Sequence, residues 1–476
     1  MSSTAPVARR LSFITKLSYG LGAVAFGVGG QALSTAVITQ YLFIVMGVPA
    51  LLVGTAIMVS QVVDALADPL LGRWSDTTRT RWGRRHPFMY AAAIPCSLAF
   101  YALWSPPTAW PAGALFIYML LTLLVVRFFT AMYEIPSTAL APELAPDYHD
   151  RTILIAYRWL LGSAGAGVMI ALLNLVFLRH DANHPLGILN RAGYSQWGSI
   201  AAVAILVSML GSSLATHRLI PTLSLPPVRK IGAVAAIREV LATLTNRSLT
   251  VLMLSGLISG VGGGITTVMG PYLYLYFWGL PPQYLAGLVL VLVPATLAGT
   301  VLAPVASRRF GKKPTMIAVF AVSLVVSLIP ISLRLIDLMP ANGSPWLIPI
   351  LFVDAFVSGL LSLMGSIIIT SMVADVVEED AVRSGERSEG LLFAANGLIP
   401  KISGGVGAFV GGLIITIVHF PAHAQQGSVA PALLHKLGLI YLPIAAVMSG
   451  LAIAVLQFYR IDQAAHERHL ATLAGE

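Results

Sequence analysis

Long apolar segments separated by short polar ones run along most of the chain. A helix needs about 20 residues to cross the hydrocarbon core of a membrane, and each segment is close to this length or longer. The pattern predicts an all-α membrane protein with twelve transmembrane helices in two six-helix bundles. The predicted spans lie at approximately 17–46, 50–74, 88–106, 112–142, 152–178, 196–216, 248–278, 282–306, 314–335, 346–378, 390–419 and 433–458.

The longest interruption of the apolar pattern, residues 217–247, is rich in proline and basic residues and divides the spans into six and six. A weak internal repeat supports this division, because Trp82-Gly83-Arg84-Arg85-His86-Pro87 after span 2 is echoed by Phe310-Gly311-Lys312-Lys313-Pro314 after span 8. Such a repeat is typical of two-half carriers that work by alternating access. We predict one bundle at 1–216, a cytoplasmic linker at 217–247, a second bundle at 248–460 and a cytoplasmic tail at 461–476.

Lysine and arginine are concentrated in the loops on one side of the predicted spans, which places both termini in the cytoplasm. The chain is 57% hydrophobic and only 10% charged, whereas soluble domains are about 25% charged. The net charge of +9 falls in short loops beside the membrane, so topology and anionic lipid explain it without nucleic acid. Cys96 is the only cysteine, which excludes a disulfide within the chain. The first apolar span is longer than a signal peptide, and we expect it to be retained.

Two carboxylates, Asp64 and Asp68, lie four residues apart in span 2 and therefore on one face of a helix. An aspartate at the bilayer centre costs about 2.5 to 3.5 kcal/mol, so the pair implies a water-filled cavity, a bound cation or a shared proton. Pro69 has no N–H and leaves the carbonyl of Ala65 without its helical donor. The alternative is a structural pair capped by the arginines that follow.

Further charges lie inside other spans. Arg127 and Glu134 in span 4 are seven residues apart, or about 10 Å along a helix, and cannot meet. Arg127 lies at about the depth of Asp64, so we predict that these two pair, with a partner elsewhere as the alternative. Lys401 in span 11 requires an anion.

Several short motifs together resemble a known family of carriers. They are Lys16-Leu17-Ser18-Tyr19-Gly20-Leu21-Gly22, Asp64-x3-Asp68-Pro69, Arg81-Trp82-Gly83-Arg84, Tyr133-Glu134-Ile135-Pro136, Arg158, Ala374-Asp375-Val376-Val377-Glu378 and Lys401. With them the chain resembles, over nearly its whole length, the glycoside–pentoside–hexuronide:cation symporters of the major facilitator superfamily.

The resemblance implies a set of roles. Asp64, Asp68 and Glu134 would couple transport to H⁺ or hold Na⁺. Arg158 would lie between the solute and cation sites, with a snorkelling arginine as the alternative, and Lys401 would reach toward the carboxylates of the first half. Arg127 joins Arg158 and Lys401 as a candidate for solute binding or charge relay.

The chain also departs from the family's melibiose carriers. A hydroxyl ligand of their cation site falls on Ala131, which weakens the case for Na⁺ and favours H⁺. Their sugar-binding acid falls on Gly27, and their two sugar-contacting tryptophans fall on Thr138 and Ser366. Other polar or aromatic side chains are candidate substitutes, with ordinary helix packing or an interfacial aromatic as the alternative. They are Tyr19, Gln31, Tyr133, Trp159, Tyr272 and Tyr276.

Charged residues at the cytoplasmic ends of the spans form a further group. A gate of ion pairs that breaks as the carrier opens inward is one interpretation, and a solvated charged loop is the other. The candidates are Asp76, Arg84, Arg85, Asp375, Glu378 and Arg387.

These observations predict a cation-coupled carrier of a small polar solute, a glycoside, in the plasma or inner membrane. Its partners are the solute, the coupling cation and membrane lipid, with no cofactor, nucleic acid or obligate protein partner. The alternative with the same fold is a carrier of a lipid-like or amphipathic solute. A membrane enzyme or sensor is the least favoured hypothesis, because the sequence has no His-Glu-x-x-His motif, no Gly-x-Ser-x-Gly motif and no phosphate-binding loop.

Overall fold

A computed structural model describes residues 12–107, 110–145, 148–179, 187–222, 247–281, 283–384, 389–421, 424 and 426–459. Helices make up almost all of this part of the chain, and its only β feature is an isolated bridge between Thr80 and Gly83. Two compact units divide the chain, Met1–Val48 with Val62–Lys230 and Pro49–Gln61 with Ile231–Glu476. Most of the predicted linker, residues 223–246, lies outside the described residues.

The helices of the first unit are α1 to α8, of which α3 contributes to both units. Their bounds are Phe13–Ala32 (α1), Thr35–Thr39 (α2), Ala50–Thr77 (α3), His86–Trp104 (α4), Ala112–Ala139 (α5), Ala141–Leu144 (α6), Tyr148–Leu172 (α7) and Arg191–His217 (α8). Within the unit, α1 packs against α7 and α8, and α4 packs against α5 and α8.

The helices of the second unit repeat this arrangement. Their bounds are Arg247–Tyr272 (α9), Gln283–Phe310 (α10), Lys312–Leu335 (α11), Leu347–Ser384 (α12), Glu389–Val418 (α13) and Pro431–Leu456 (α14). Here α9 packs against α13 and α14, and α11 packs against α12 and α14. These are the pairings of the first unit, moved on by six spans.

Eleven helices of the described residues are long and apolar enough to cross a membrane, and they coincide with predicted spans 2 to 12. The first predicted span, 17–46, is not one continuous helix. It breaks at Leu33–Ser34 between α1 and α2, and a π-helical turn follows at Gln40–Val45. Two adjacent glycines, Gly29 and Gly30, weaken the helix before the break, and Ser34 is a residue type that favours helix starts.

A second repeat, which sequence analysis missed, consists of the same kind of turn at the end of span 1 and at the end of span 7. The π-helical turns Gln40–Val45 and Leu273–Phe277 each precede a glycine in the left-handed region, Gly47 at φ 72° and Gly279 at φ 60°. The same two backbone bonds close both turns, from the N–H groups five and six residues after the acceptors. The two units therefore share local backbone detail as well as helix pairing.

Close backbone contact joins α1 to α7. A Cβ atom added at Gly27 would lie 1.9 Å from the carbonyl oxygen of Gly162, and backbone atoms cannot move aside as a side chain can. Small residues allow helices to approach in this way in membranes, where close packing drives association. Gly27 is therefore fixed by packing between α1 and α7.

We expect Gly27→Ala to lower the unfolding temperature by about 3 °C or more, because the added methyl group must push α1 and α7 apart. The measurement is thermal unfolding of purified protein in detergent. Gly30→Ala is the matched control, because an added Cβ there meets nothing within 4 Å. Equal unfolding temperatures for the two variants would contradict the close contact.

Candidate functional site

Asp64 and Arg127 lie together in the first unit, as the sequence predicted. Arg127 Nη1 is 3.8 Å from Asp64 Oδ2, with Asp64 buried and Arg127 half-buried. The distance is that of an ion pair and is too long for a good hydrogen bond. Nε of Arg127 is buried and has no hydrogen-bond partner in the described part of the chain. The pair is thus held by charge more than by directed bonds.

Glu134 and Arg158 form a second ion pair, which sequence analysis did not predict. Arg158 Nη2 contacts Glu134 Oε1 and donates to Thr138 Oγ1 at 3.1 Å, while Nη1 donates to Ser137 Oγ at 2.7 Å. Thr138 Oγ1 in turn donates to Glu134 Oε1 at 3.1 Å. Glu134, Ser137 and Thr138 share one face of α5 because they are three and four residues apart. The alternative of a snorkelling arginine is therefore wrong for Arg158, which is buried and paired.

An aromatic ring completes this network from α1. The guanidinium carbon of Arg158 lies 5.2 Å from the ring centre of Tyr19, a cation–π distance, and the Tyr19 hydroxyl donates to the backbone oxygen of Thr138 at 3.3 Å. Arg158 is thus bound to α5 and covered by α1. Its planar fork has several donors, which a lysine could not place in the same way.

The structure does not gather the three predicted coupling carboxylates into a metal site. Within the described residues, no group of three or more His, Cys, Asp or Glu side chains is placed to hold a metal ion. Asp64 pairs with Arg127 while Glu134 pairs with Arg158, so the possible Na⁺ site at Asp64, Asp68 and Glu134 is not formed here. Asp68 is half-buried one turn beyond Asp64 on α3, which continues through Pro69.

The other residues predicted to bind the solute differ in how deeply they are buried. Tyr133 is 1% exposed, and its hydroxyl lies 2.3 Å from the position of a Cβ added at Gly22, so it fills space between α5 and α1. Trp159 is 73% exposed on α7. Lys401 is half-buried on α13 in the second unit, and its role stays a prediction.

The structure shows the surroundings of the three positions that lack the family's sugar contacts, Gly27, Thr138 and Ser366. Gly27 has no room for any side chain, because Gly162 lies against it. Thr138 belongs to the Arg158 network. Ser366 is exposed and its hydroxyl donates to the backbone oxygen of Ser362 at 3.0 Å. An acid at Gly27 would require α1 and α7 to move apart, and a ring at Thr138 would remove a partner of Arg158.

Three of the predicted gate residues meet at the end of the first unit, around an acid that sequence analysis missed. Glu143 Oε1 is 2.6 Å from Arg84 Nη2 and 2.5 Å from Arg85 Nε. Asp76 lies 3.8 Å from Arg84 and 3.4 Å from Arg85. The Glu143 side chain is 6% exposed, whereas that of Asp76 is 55% exposed. The sequence signal that could have identified Glu143 is a carboxylate between two prolines, Pro142 and Pro146, directly after span 4.

The repeated loop of the second unit makes an equivalent ion pair. Lys312 Nζ lies 2.5 Å from Oδ1 of Asp375, which is buried in α12. Each unit therefore pairs a cation of its repeated loop with a buried acid of its own, so these bonds lie within units. The side chain of Glu378 and the whole of Arg387 lie outside the described residues, and the gate itself stays a prediction.

Sequence analysis also missed Asp354, a carboxylate inside span 10. It lies on α12, seven residues after Leu347, in an otherwise apolar segment that continues to Asp375. Asp354 is half-buried in the described structure. An isolated acid in an apolar span was the signal that could have identified it.

Comparisons with known proteins agree with this architecture. Residues 18–463 match the family model described as MFS/sugar transport protein. The solved structure of the xylose transporter XylE from E. coli in an inward-open conformation is similar with a TM-score of 0.60 at 15% identity. That similarity covers 96% of this chain and 98% of XylE. At such low identity it shows the fold alone.

Two curated relatives are similar over nearly their whole length. The putative glycoside/cation symporter YagG of Escherichia coli (strain K12) is 26% identical to this chain. The similarity covers 96% of this chain and 93% of YagG. The isoprimeverose transporter of Lactiplantibacillus pentosus is 25% identical to this chain. The similarity covers 94% of this chain and 88% of that transporter. With the family model matching residues 18–463, the chain belongs to the MFS/sugar transport protein family and is an integral membrane transporter, not an enzyme.

Proposed function

We propose that the chain is a proton-coupled symporter of a glycoside that works by alternating access in the plasma membrane, with both termini cytoplasmic. The observation that carries the proposal is the set of charged pairs inside the spans of the first unit, Asp64 with Arg127 and Glu134 with Arg158. Structure alone does not require charges there, and hydrophobic residues in their place are often as stable or more stable. Charges within transmembrane segments therefore indicate function.

Exchange of a proton at these pairs provides a coupling mechanism. When Glu134 binds a proton, its attraction to Arg158 falls, and Arg158 retains only its bonds to Ser137 and Thr138. The guanidinium donors released from Glu134 then become available to an oxygen of the solute. Loss of the proton restores the Glu134–Arg158 pair and displaces the solute, so the two are carried together.

Proton coupling is favoured over sodium coupling on two observations. Ala131 lacks the hydroxyl of the related sodium site, and the three carboxylates are not assembled into an oxygen cage. Sodium needs such a cage, whereas a proton needs only one carboxylate that is poorly solvated. The names of the relatives, a glycoside/cation symporter and an isoprimeverose transporter, support a glycoside as the solute.

The coupling ion is tested with purified protein in proteoliposomes and isoprimeverose as the solute. We expect accumulation under an imposed pH gradient and none under a sodium gradient without a pH difference. Accumulation driven by sodium alone would refute the proton version. Uptake of lysophospholipid in place of every glycoside tested would favour the alternative of an amphipathic solute.

Asp68→Asn should separate solute movement from the proton gradient, because the substituted residue cannot exchange a proton. We expect exchange of labelled solute across the membrane to continue while accumulation is lost. The control is Asp337→Asn, the same change at an exposed turn. Unchanged accumulation by Asp68→Asn would remove Asp68 from the coupling site.

Arg158→Gln should abolish accumulation and lower stability by about 3 kcal/mol, because the half-buried carboxylate of Glu134 is left without its cation. The double variant Glu134→Gln/Arg158→Gln leaves no unpaired charge, so we expect it to recover the thermal stability but not the accumulation. Recovery of both would mean that the pair is structural only. Thermal unfolding and proteoliposome uptake are measured on the same preparations.

Galactosides should be poor solutes, because Gly27, Thr138 and Ser366 stand where the melibiose carriers bind them. In cells that express the chain, we expect uptake of isoprimeverose to exceed that of lactose or melibiose by about tenfold, as expected when one charged hydrogen bond is missing. Vector-only cells are the control. Strong melibiose uptake would contradict this expectation.

A further inference from the structure

A cavity of about 310 Å³ lies beside the α3–α4 loop in the first unit, and positive charge dominates its lining. The charged and titratable residues that line it are Arg79, Arg81, Arg84, Arg85, His86 and Glu143. Ile220 and Pro221, which follow α8, line it as well. On the proposed topology this end of the unit is cytoplasmic. Four guanidinium groups and one carboxylate therefore border a space that suits an anion.

Two of the four arginines have no acid to neutralise them. Arg84 and Arg85 each pair with the same two carboxylates. Arg79 donates to backbone oxygens, and Arg81 lies 5.4 Å from the ring centre of Trp82. Neither Arg79 nor Arg81 makes an ion pair in the described part of the chain. The loop therefore places an excess of positive charge at the cavity.

The buried side of the lining carries two nitrogens without a hydrogen-bond partner among the described residues, Nε of Arg84 and Nδ1 of His86. The two residues are only 9% and 1% exposed. Nε2 of His86 lies 3.0 Å from Thr216 Oγ1, whose own hydrogen goes to the backbone oxygen of Ser212 at 2.8 Å. Thr216 therefore accepts from Nε2–H, which leaves Nδ1 of the neutral ring as an acceptor. A ligand with both an acceptor and a donor would satisfy the two nitrogens.

The repeated loop of the second unit satisfies its equivalent cations within the chain. Lys312 pairs with Asp375. Lys313 Nζ donates at 2.7 Å to two backbone oxygens just after the end of α14. The unsatisfied nitrogens of Arg84 and His86 are therefore not a requirement of the loop's fold.

We propose that this cavity binds a phosphate monoester group. Guanidinium forks match phosphate oxygens, and α4 begins at His86, so the positive end of its dipole also favours an anion there. The monoanion of such a group has a P–OH hydrogen, which is the donor that Nδ1 of His86 requires, whereas sulfate has none. Two sources supply the group, a soluble phosphate monoester and the lipid phosphatidic acid. Such a site goes beyond the proposed glycoside transport and does not depend on it.

The first experiment compares phosphate with sulfate on the purified full-length chain in neutral detergent. The buffer is slightly acidic, so that inorganic phosphate is mostly dihydrogen phosphate. We expect saturating phosphate to raise the unfolding temperature by about 2 °C or more, because a ligand of the folded state stabilises it. Sulfate at equal ionic strength should give less than half of this shift. Both ions stabilise proteins similarly by exclusion from their surfaces, so equal shifts would overturn the proposal.

A pair of double variants tests the place of binding. Arg79→Gln/Arg81→Gln removes the two exposed, unpaired charges of the cavity, and we expect the Kd for phosphate in calorimetric titration to rise about tenfold. Arg308→Gln/Arg309→Gln is the matched control and should leave Kd unchanged. Both of its arginines are exposed and outside the cavity lining, and Arg309 lies 5.4 Å from the ring of the next residue, as Arg81 does. Equal Kd values for the two double variants would overturn the proposal, since binding would then follow net charge alone.

Lipid nanodiscs separate the two sources of the phosphate group. Protein in phosphatidylcholine discs is titrated with methyl phosphate, and saturable binding that Arg79→Gln/Arg81→Gln weakens would identify a soluble ligand. Thermal unfolding is also compared between discs with phosphatidic acid and discs with phosphatidylglycerol at equal charge. Greater stability with phosphatidic acid that is lost in Arg79→Gln/Arg81→Gln would identify the lipid. Neither result would overturn the proposal and leave glycoside transport standing.

Discussion

The pairing of charges inside the membrane-spanning helices is the constraint on which the rest of this protein depends. A charge in a lipid-surrounded helix is unfavourable unless another group compensates it, and compensation fixes which helices must adjoin. Arg158 illustrates this, because its bonds to Glu134, Ser137 and Thr138 hold α7 against α5 while Tyr19 of α1 covers it. The polar residues of the first unit therefore determine its packing and also provide its chemistry.

Close backbone packing and polar chemistry exclude each other at one position of the first unit. At Gly27 the approach of Gly162 leaves no room for a side chain, so an acid cannot occupy that point of α1. The acids Asp64 and Glu134 of the same unit are each paired with an arginine, so these two residues provide no unpaired substitute.

Apolar segment length was enough to predict spans 2 to 12, because few sequences other than membrane helices contain so many long apolar runs. The break at Leu33–Ser34 was not predicted, since hydropathy does not register backbone weakness at paired glycines. The Asp64–Arg127 pair was predicted because both residues could be placed by depth from neighbouring loops. The Glu134–Arg158 pair and the role of Glu143 were missed, because the pairing of α5 with α7, and of α6 with the α3–α4 loop, depends on how the helices are rotated about their axes.

The internal repeat shows how a duplicated framework acquires different chemistry in its two units. The repeated loop keeps a cation that binds a buried acid in each unit, through Arg84 and Glu143 in one and Lys312 and Asp375 in the other. The π-helical turns before Gly47 and Gly279 are likewise retained. The charges deep in the spans do not repeat, since Asp64 and Glu134 pair with arginines in the first unit, whereas Asp354 and Lys401 occur in the second. The loop and turn residues of the fold therefore recur in both units, whereas the charged residues inside the spans differ between them.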